Sequence, residues 1–298
     1  MEKFTSENAL SFHERFRSDL DCKAYLAELK WKDGFVCLKC NHVKATVRKD
    51  HSRCCTRCKH IESPSSGTLF HKVKFGLHKA FLIVFEMSAT TKGLSSSQMG
   101  RRYGIKRQTA WLFMQKVRNG MKSSGKHSMT GQVMVDEFVV GGKEANKQGR
   151  SYDSKKKKVV CAVELTDEGK VKRMYAQRID DFSARSLKGI FDAHIDPKAK
   201  VMTDEWKSYG VLAKQYDITQ LPSNNGMNMK QLHNLIHQVK SWVRTTYSWV
   251  HKGHMDRYLD EFCFRLNRSI HKDTIFHNLV TRMVQSEPTP YNSIIVRR

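Results

Sequence analysis

The stretch QVMVDEFVVGG, residues 132–142, begins the part of the sequence that decides the fold. Apolar, largely β-branched residues followed by a Gly-Gly pair are typical of a buried strand that ends in a turn. Asp136 lies inside this strand, where a carboxylate is costly unless it is paired or binds a metal ion. Glu137 follows it and is expected on the opposite face of a regular strand. Alternatively, Asp136 is a solvated residue of an edge strand.

The residues after this strand predict an α/β domain. Further strands are expected at 157–166 and 170–179, after a long basic loop at 143–158. The next predicted elements are a helix at 181–195, a strand and helix at 199–214, a strand near 218–221, and helices at 231–244 and 256–270. Several strands followed by alternating helices and strands indicate a sheet covered by helices.

A second carboxylate is predicted at the end of a strand. Asp204 closes the segment VMTD (201–204), and Glu205 opens the helix that follows. Acidic side chains at neighbouring strand ends provide the oxygen ligands that Mg²⁺ prefers. Asp204 and Asp136 are therefore candidate magnesium ligands, although Asp204 also fits the N-cap of the following helix.

The helix QLHNLIHQVKSWVR (231–244) carries two stripes of residues at helical spacing. The apolar stripe, expected to face the core, consists of Leu232, Ile236, Val239 and Val243. The second stripe consists of His233, His237, Lys240 and Arg244. If this helix crosses the strand ends, His237 completes the metal site, and Lys240 and Arg244 contact phosphate. The alternative is that His237 is a boundary residue with a satisfied hydrogen bond.

Five of the eight cysteines lie between residues 37 and 58. Two C-x-x-C pairs in this segment have the spacing of a four-thiolate zinc site, and they consist of Cys37, Cys40, Cys55 and Cys58. Cys54 could replace Cys55, but only Cys55 completes the second pair. Because no ligand position stays open, this Zn²⁺ is expected to be structural. The alternative is a set of free buried thiols.

A helix–turn–helix pattern follows the cysteine segment. Residues 95–103 and 107–117 are predicted helices, and Gly104-Ile105 interrupts them. The second helix begins with a basic and polar group that would contact DNA: Lys106, Arg107, Gln108 and Thr109. The alternative is a three-helix packing unit without DNA contact.

The net charge indicates a polyanionic partner. The chain has 53 Lys and Arg against 29 Asp and Glu, a formal charge of +24. Double-stranded DNA is the expected partner of such an excess. No apolar run approaches the roughly 18 residues of a membrane span, and the first residues lack the apolar segment of a secretory signal. We therefore expect a soluble cytoplasmic protein, associated with the nucleoid and with no membrane.

Five segments are expected along the chain. They are a helical lead-in (1–30), a zinc ribbon (31–70), a helix–turn–helix region (71–125), a catalytic domain (126–285) and a tail (286–298).

The sequence resembles the DDE-type insertion-sequence transposases that carry a zinc ribbon and an RNase H-like catalytic domain. The stretches that carry the resemblance are the two C-x-x-C pairs, SGTLFHKVKF, MSATTKGLSSSQMGRRYGI, VDEFVVGG, TDEWKSY, HNLIHQVKSWVRTTY and YLDEFCFRLNRS. The resemblance implies a prokaryotic enzyme that cleaves DNA at terminal inverted repeats and transfers the strand to target DNA. It further implies Mg²⁺ or Mn²⁺ as cofactor and a homo-multimer that pairs the transposon ends.

The same resemblance implies roles for particular residues. The first two acidic positions are Asp136 and Asp204, and the conserved basic position is placed at Arg244, which puts the third ligand at His237. Family members commonly have Glu or Asn there, so His237 departs from the pattern, and imidazole suits Mn²⁺ better than Mg²⁺. Four other residues remain open as the third member: His233, Asn234, Gln238 and Glu261. The alternative functions are a DNA-binding regulator without catalysis and a nuclease with the same fold.

Overall fold

The structure is a computed structural model that describes residues 3–90, 92–142, 156–222 and 224–295. Most of the predicted basic loop and the last three residues of the predicted tail lie outside these ranges. The chain forms two compact units. The first contains Met1–Met121 together with Arg268–Arg298, and the second contains Lys122–Asn267. Residues 268–285, which the sequence analysis places in the catalytic domain, lie within the first compact unit; the five expected segments stay a prediction.

The elements are numbered in chain order. The N-terminal part of the first unit contains α1 (Ala9–Arg15), α2 (Asp19–Lys30), β1 (Ala45–Val47), β2 (Arg53–Cys55), β3 (Ile61–Glu62), α3 (Leu77–Ala89), α4 (Ser96–Tyr103) and α5 (Arg107–Met121). The second unit contains β4 (Gln132–Val140), β5 (Lys157–Leu165), β6 (Val171–Ile179), α6 (Ala184–His194), β7 (Lys200–Thr203), α7 (Lys207–Leu212), β8 (Asp217–Gln220), α8 (Lys230–Thr246) and α9 (Met255–Leu266). The last elements are α10 (Lys272–Gln285) and α11 (Tyr291–Ile294).

Helix α10 belongs to the first unit because its apolar face packs there. Phe276 lies in a cluster of aromatic rings with Phe12, Phe16 and Phe81, at centroid distances between 5.2 and 5.8 Å. The hydroxyl of Tyr25 lies 2.6 Å from His277 Nδ1. Clustered rings of this kind bury large apolar areas and stabilise the packing of the helices that carry them.

Helices α4 and α5 meet at a sharp turn. Gly104 ends α4 with a left-handed φ of +60°, which glycine adopts at little cost. Gly100 faces the turn closely, since a Cβ there would lie 2.8 Å from the carbonyl oxygen of Ile105. A turn at Gly104 and Ile105 thus joins the two helices, and the helix–turn–helix assignment stays a prediction.

The second unit is built on a mixed five-stranded sheet in the order β6-β5-β4-β7-β8. β4, β5 and β6 are antiparallel neighbours, whereas β7 is parallel to both β4 and β8. One face packs against α8 and α9, and the other packs against α6 and α7. The whole predicted apolar stripe of α8 is buried against the first of these faces. The expected α/β domain is therefore confirmed at the level of a mixed α/β sheet.

Among the described residues, no helix has both the length and the apolar character needed to cross a bilayer.

Candidate metal centres

Four thiols meet in the first unit as the sequence predicts. The sulfur atoms of Cys37, Cys40, Cys55 and Cys58 all lie within 4.8 Å of one another. Sγ of Cys37 is 3.5 Å from Sγ of Cys58, and Sγ of Cys40 is 3.6 Å from Sγ of Cys55. Each C-x-x-C pair contributes two of the four sulfurs. Four cysteine sulfurs in this arrangement are the ligands of a structural zinc site.

The two knuckles that supply these thiols have the same backbone geometry. Asn41 N–H donates to the carbonyl oxygen of Cys37, and Lys59 N–H donates to that of Cys55. Asn41 and Lys59 both have left-handed φ values, +57° and +58°. Cys54 is outside the cluster, because its Sγ lies near the carbonyl oxygen of Lys59 at 3.8 Å. The structure therefore selects Cys55 over Cys54.

Three carboxylates meet at one edge of strand β4 in the second unit. Ligand oxygens of Asp136, Glu137 and Asp204 lie within 4.8 Å of one another. The pairing of β4 with β7 ends at Met134 and Met202, so the next residues of β4 have no strand partner on that side among the residues that the structure describes. Asp204 follows the last residue of β7 and lies beside this edge. Asp136 and Asp204, far apart in the sequence, are brought together as the sequence predicts.

Glu137, which the sequence analysis does not assign to the metal site, also belongs to this cluster. Asp136 lies on the sheet face covered by α8, and Glu137 lies on the face covered by α6 and α7. The two residues therefore lie on opposite faces of the strand as expected, and their carboxylate oxygens nevertheless lie within 4.8 Å of each other at its edge. Tyr209 donates a hydrogen bond of 2.5 Å to Glu137 Oε2. Burial raises the pKa of Tyr209 well above its ordinary value, and the Glu137 carboxylate adds to that rise.

Residues 128–267 match the family model of the ISXO2-like transposase domain. The chain carries a domain of this transposase family. The match covers nearly the whole second unit and includes the carboxylates at the edge of β4. A comparison with curated proteins found no match. A transposase domain acts on nucleic acid and binds DNA, which agrees with the charge of +24.

Helix α8 of the transposase domain presents His233, rather than His237, to the carboxylates. His233 Nε2 lies 3.9 Å from Asp136 Oδ2. This nitrogen is buried and makes no hydrogen bond to any described residue. The ring packs against Gly226, where a Cβ would lie 3.1 Å from His233 Cδ2. His237 is exposed one turn further along α8, and neither histidine is among the side chains whose ligand atoms all lie within 4.8 Å of one another.

Burial lowers the pKa of His233, and positive charge at His237 and Lys240 lowers it further, against the opposing effect of Asp204. Its imidazole is therefore neutral at pH 7 and has a lone pair for a metal ion. Oxygen ligands from three carboxylates fit a divalent cation such as Mn²⁺ or Mg²⁺, and His233 Nε2 lies 3.9 Å from one of these oxygens.

The other residues proposed for the site lie on α8 and α9, and they differ in burial. Lys240 is half-buried, and its ammonium lies 5.5 Å from the centroid of the Phe138 ring. Burial lowers the pKa of Lys240, while the Asp136 carboxylate opposes that shift. Arg244, Asn234 and Gln238 are exposed. Glu261 is buried on α9, where its carboxylate lies 3.6 Å from Arg265, and it does not cluster with Asp136.

The residues predicted to contact DNA in the first unit lie at the start of α5. Lys106, Arg107 and Gln108 are exposed, and Thr109 is half-buried. The exposed cations precede or begin a helix whose later residues Phe113 and Val117 are buried. This arrangement leaves the charged end of α5 open to a partner.

Proposed function

We propose that the chain is an insertion-sequence transposase of the DDE type. It cleaves DNA at terminal inverted repeats and joins the freed ends to target DNA. The observation that carries this proposal is the meeting of Asp136 and Asp204, whose ligand oxygens lie within 4.8 Å at the open edge of β4. The strand order, with three antiparallel strands followed by two parallel ones, supports an RNase H-like fold for this domain.

A divalent ion bound between these carboxylates would supply the Lewis acidity that activates the nucleophile and stabilises the leaving oxygen. In the first step, water attacks the phosphorus at the repeat end, the P–O3′ bond breaks, and a 3′-hydroxyl and a 5′-phosphate result. In the second step, that 3′-hydroxyl loses its proton and attacks a phosphodiester of the target, whose own 3′-oxygen leaves. Each step replaces one P–O bond with another, so no energy-rich cofactor is required.

The side chains of the domain bind and orient the reacting groups. Asp136 and Asp204 supply oxygen ligands, and we assign the ligand on α8 to His233 in place of His237. Lys240 follows on the same helix face, where its ammonium offsets the charge of the attacked phosphate. Arg244, one turn further on and exposed, contacts a neighbouring phosphate of the same strand.

The first unit holds the DNA that the domain cuts. The exposed start of α5, with Lys106, Arg107 and Gln108, contacts the terminal repeat, and Thr109 supports this end of the helix. The zinc ribbon stabilises the same unit and adds basic surface. Because both transposon ends must be joined, at least two copies of the chain assemble on the DNA, within the nucleoid of a prokaryotic cell.

A strand-transfer assay tests this proposal. The zinc-loaded protein is incubated with Mn²⁺ or Mg²⁺, labelled DNA that flanks its own coding sequence, and a target plasmid. We expect joined products from the wild type and none from Asp136→Asn, which keeps its DNA affinity. Asp180→Asn is the matched control, because that side chain is 82% exposed on the same domain. Cleavage without joining would indicate a nuclease, and binding without cleavage would indicate a regulator.

A further inference from the structure

A cavity of about 620 Å³ lies in the first unit, beside helix α5. Three segments that are far apart in the sequence line it: residues 71–75, part of α5 within 109–116, and part of the C-terminal segment 288–294. The side chain of Asn119 on α5 donates a hydrogen bond of 3.0 Å to Thr289 Oγ1, which fixes the C-terminal segment to the helix. The volume is that of pockets which bind small organic groups, about 300 to 1,000 Å³. Residues 71–75 end the stretch SGTLFHKVKF, to which the mechanism above gives no role.

The walls of this cavity are mostly apolar and include three aromatic rings. Phe75 and Phe113 meet edge to face, with their ring centroids 5.4 Å apart. Phe113 is buried, whereas Phe75 is half-buried and Tyr291 is 47% exposed. Partly exposed rings in a concave wall offer their faces to a planar ligand, and a nucleobase stacks on such a face whatever its sequence.

The charged groups of the cavity are cations. The lysines that line it are Lys72, Lys74 and Lys116, and no carboxylate lines it in the part of the chain that the structure describes. The ammonium of Lys116 donates a hydrogen bond of 3.1 Å to the carbonyl oxygen of His71, which uses one of its three donors. Burial lowers the pKa of Lys116. Burial also lowers the pKa of His71, and positive charge at Lys72 and Lys116 lowers it further. An anionic ligand complements this set of charges.

A nucleotide outside a duplex combines the two properties that the cavity selects, a planar base and a phosphate. Bases within a duplex are paired and stacked, so their faces are not accessible to a protein, whereas an unpaired base can enter a pocket. The cavity also adjoins the proposed DNA-binding end of α5. Thr109, Leu112 and Lys116 line it at helical spacing, directly after the exposed residues 106–108.

We propose that this cavity binds an unpaired nucleotide of the DNA that the first unit holds. The base packs against the rings of Phe75 and Tyr291, and the three lysines contact its phosphate and the phosphates next to it. This inference rests on the proposed function, because it takes the first unit to bind the transposon end. A base that is already unpaired costs the least to place in a pocket, and a cut strand end provides such bases.

Binding of short single strands tests this assignment. The full-length, zinc-loaded protein is titrated with a labelled oligothymidylate of about six nucleotides, and with a strand of the same length that lacks every base. Fluorescence anisotropy follows both titrations, without added Mg²⁺ or Mn²⁺. Because the two strands have the same phosphates, charge alone would give equal affinities. We expect the oligothymidylate to bind the wild type about tenfold more tightly, since stacking adds to its affinity. Equal affinities would overturn the proposal.

Variants of the aromatic wall show where the base binds. Tyr291→Leu and Phe75→Leu remove a ring but keep an apolar side chain, so each should reduce the advantage of the oligothymidylate to within about twofold. Tyr291→Phe keeps the ring and should retain the advantage. Trp249→Leu is the matched control, because that ring is 70% exposed in the second unit. Circular dichroism checks folding, and Tyr291→Leu decides the question if Phe75→Leu does not fold. An undiminished advantage in Tyr291→Leu would refute the assignment.

The lysines have their own control. Lys74→Gln should reduce the slope of log K against log salt by about 0.7 for each phosphate of the strand that it no longer neutralises. Lys272→Gln removes the same charge from an exposed position on α10, outside the cavity, and should leave the slope unchanged. Equal slopes for Lys74→Gln and the wild type would exclude phosphate contact by the cavity.

Competition distinguishes this occupant from others. Displacement of the labelled strand by thymidine monophosphate or by polyglutamate, as strong as that by unlabelled strand, would assign the cavity to a free nucleotide or an acidic peptide and overturn the proposal. A dimer of the free wild type that Tyr291→Leu dissociates would assign it to a second copy, with the same consequence. If the protein binds duplex DNA from its own flanking sequence but shows no preference for strands with bases, this inference fails and the proposed function stands. If it binds neither duplex nor single strand, both fail.

Discussion

Replacing His233 tests how helix α8 contributes to the acidic site. His233→Ala removes the imidazole whose Nε2 lies 3.9 Å from Asp136 Oδ2. His237→Ala is the matched control, since it removes the same side chain from the same helix at an exposed position one turn away. Both variants remove one imidazole from α8. A difference between them must therefore come from where the imidazole lies and not from the loss of a histidine as such.

The size of the effect follows from the geometry. Two ligand atoms that share an ion at about 2.1 Å each are about 3.0 to 4.2 Å apart, depending on whether they occupy adjacent or opposite positions. The distance between His233 Nε2 and Asp136 Oδ2 lies within this range. Loss of that nitrogen should weaken Mn²⁺ binding about 10- to 100-fold, or about 1.4 to 2.7 kcal/mol. An exposed side chain such as His237 should change it by less than about 0.5 kcal/mol.

The assay measures strand transfer as a function of Mn²⁺ and Mg²⁺ concentration. His233→Ala should raise the half-saturating concentration of Mn²⁺ more than that of Mg²⁺, because imidazole nitrogen binds Mn²⁺ the better of the two. His237→Ala should superimpose on the wild type with both ions. If His237→Ala is impaired and His233→Ala is not, the ligand on α8 is His237, as the sequence alone predicts.

Three further predictions concern the zinc site, the sheet and the DNA-binding end of α5. Elemental analysis should find about one zinc per chain, which Cys55→Ser loses and Cys54→Ser keeps. Glu164→Gln should lower the free energy of unfolding at pH 7 by about 2 to 3 kcal/mol, measured by urea denaturation, because the buried carboxylate accepts two backbone N–H groups and pairs with two cations. Burial alone would raise the pKa of Glu164, but these donors and cations lower it below 4.5; the stabilisation is therefore present above that pH and disappears as pH falls through the lowered value. Lys106→Ala combined with Arg107→Ala should reduce the slope of log K against log salt by about 0.9 for each DNA phosphate that the variant no longer neutralises, and an unchanged slope would place the DNA elsewhere.

Patterns of local residues predict most elements of the second unit. The strand prediction at 132–142 corresponds to β4 at Gln132–Val140, and the helix prediction at 231–244 corresponds to α8 at Lys230–Thr246. Such strands and helices bury one face, and the buried face needs apolar residues at a regular spacing. That spacing can be read directly from the sequence. The zinc cluster is equally predictable, because each C-x-x-C pair forms its own turn.

Two features of the acidic site depend on long-range geometry and leave no such signal. Glu137 reaches Asp136 only because β7 ends early, and the length of a neighbouring strand is not encoded near residue 137. His233 and His237 lie on the same stripe of α8, so periodicity cannot tell which of them lies level with Asp136. Only the docking of the helix on the sheet, with Gly226 against the His233 ring, decides between them.

Charge balance connects these two features. A helix carboxylate would bring the negative charge of the site to three, together with Asp136 and Asp204, whereas a neutral His233 supplies a ligand atom without charge. Glu137 brings a third carboxylate to the same edge from the opposite face of the sheet, and its Oε2 accepts a hydrogen bond from Tyr209. Since divalent cations are held mainly by the number and charge of their oxygen ligands, a histidine on α8 in place of a carboxylate makes the site depend more on the carboxylates of β4 and β7. The double variant Glu137→Gln with His233→Glu should therefore bind Mn²⁺ more tightly than Glu137→Gln alone, and a double variant that binds no better would refute this account of the site.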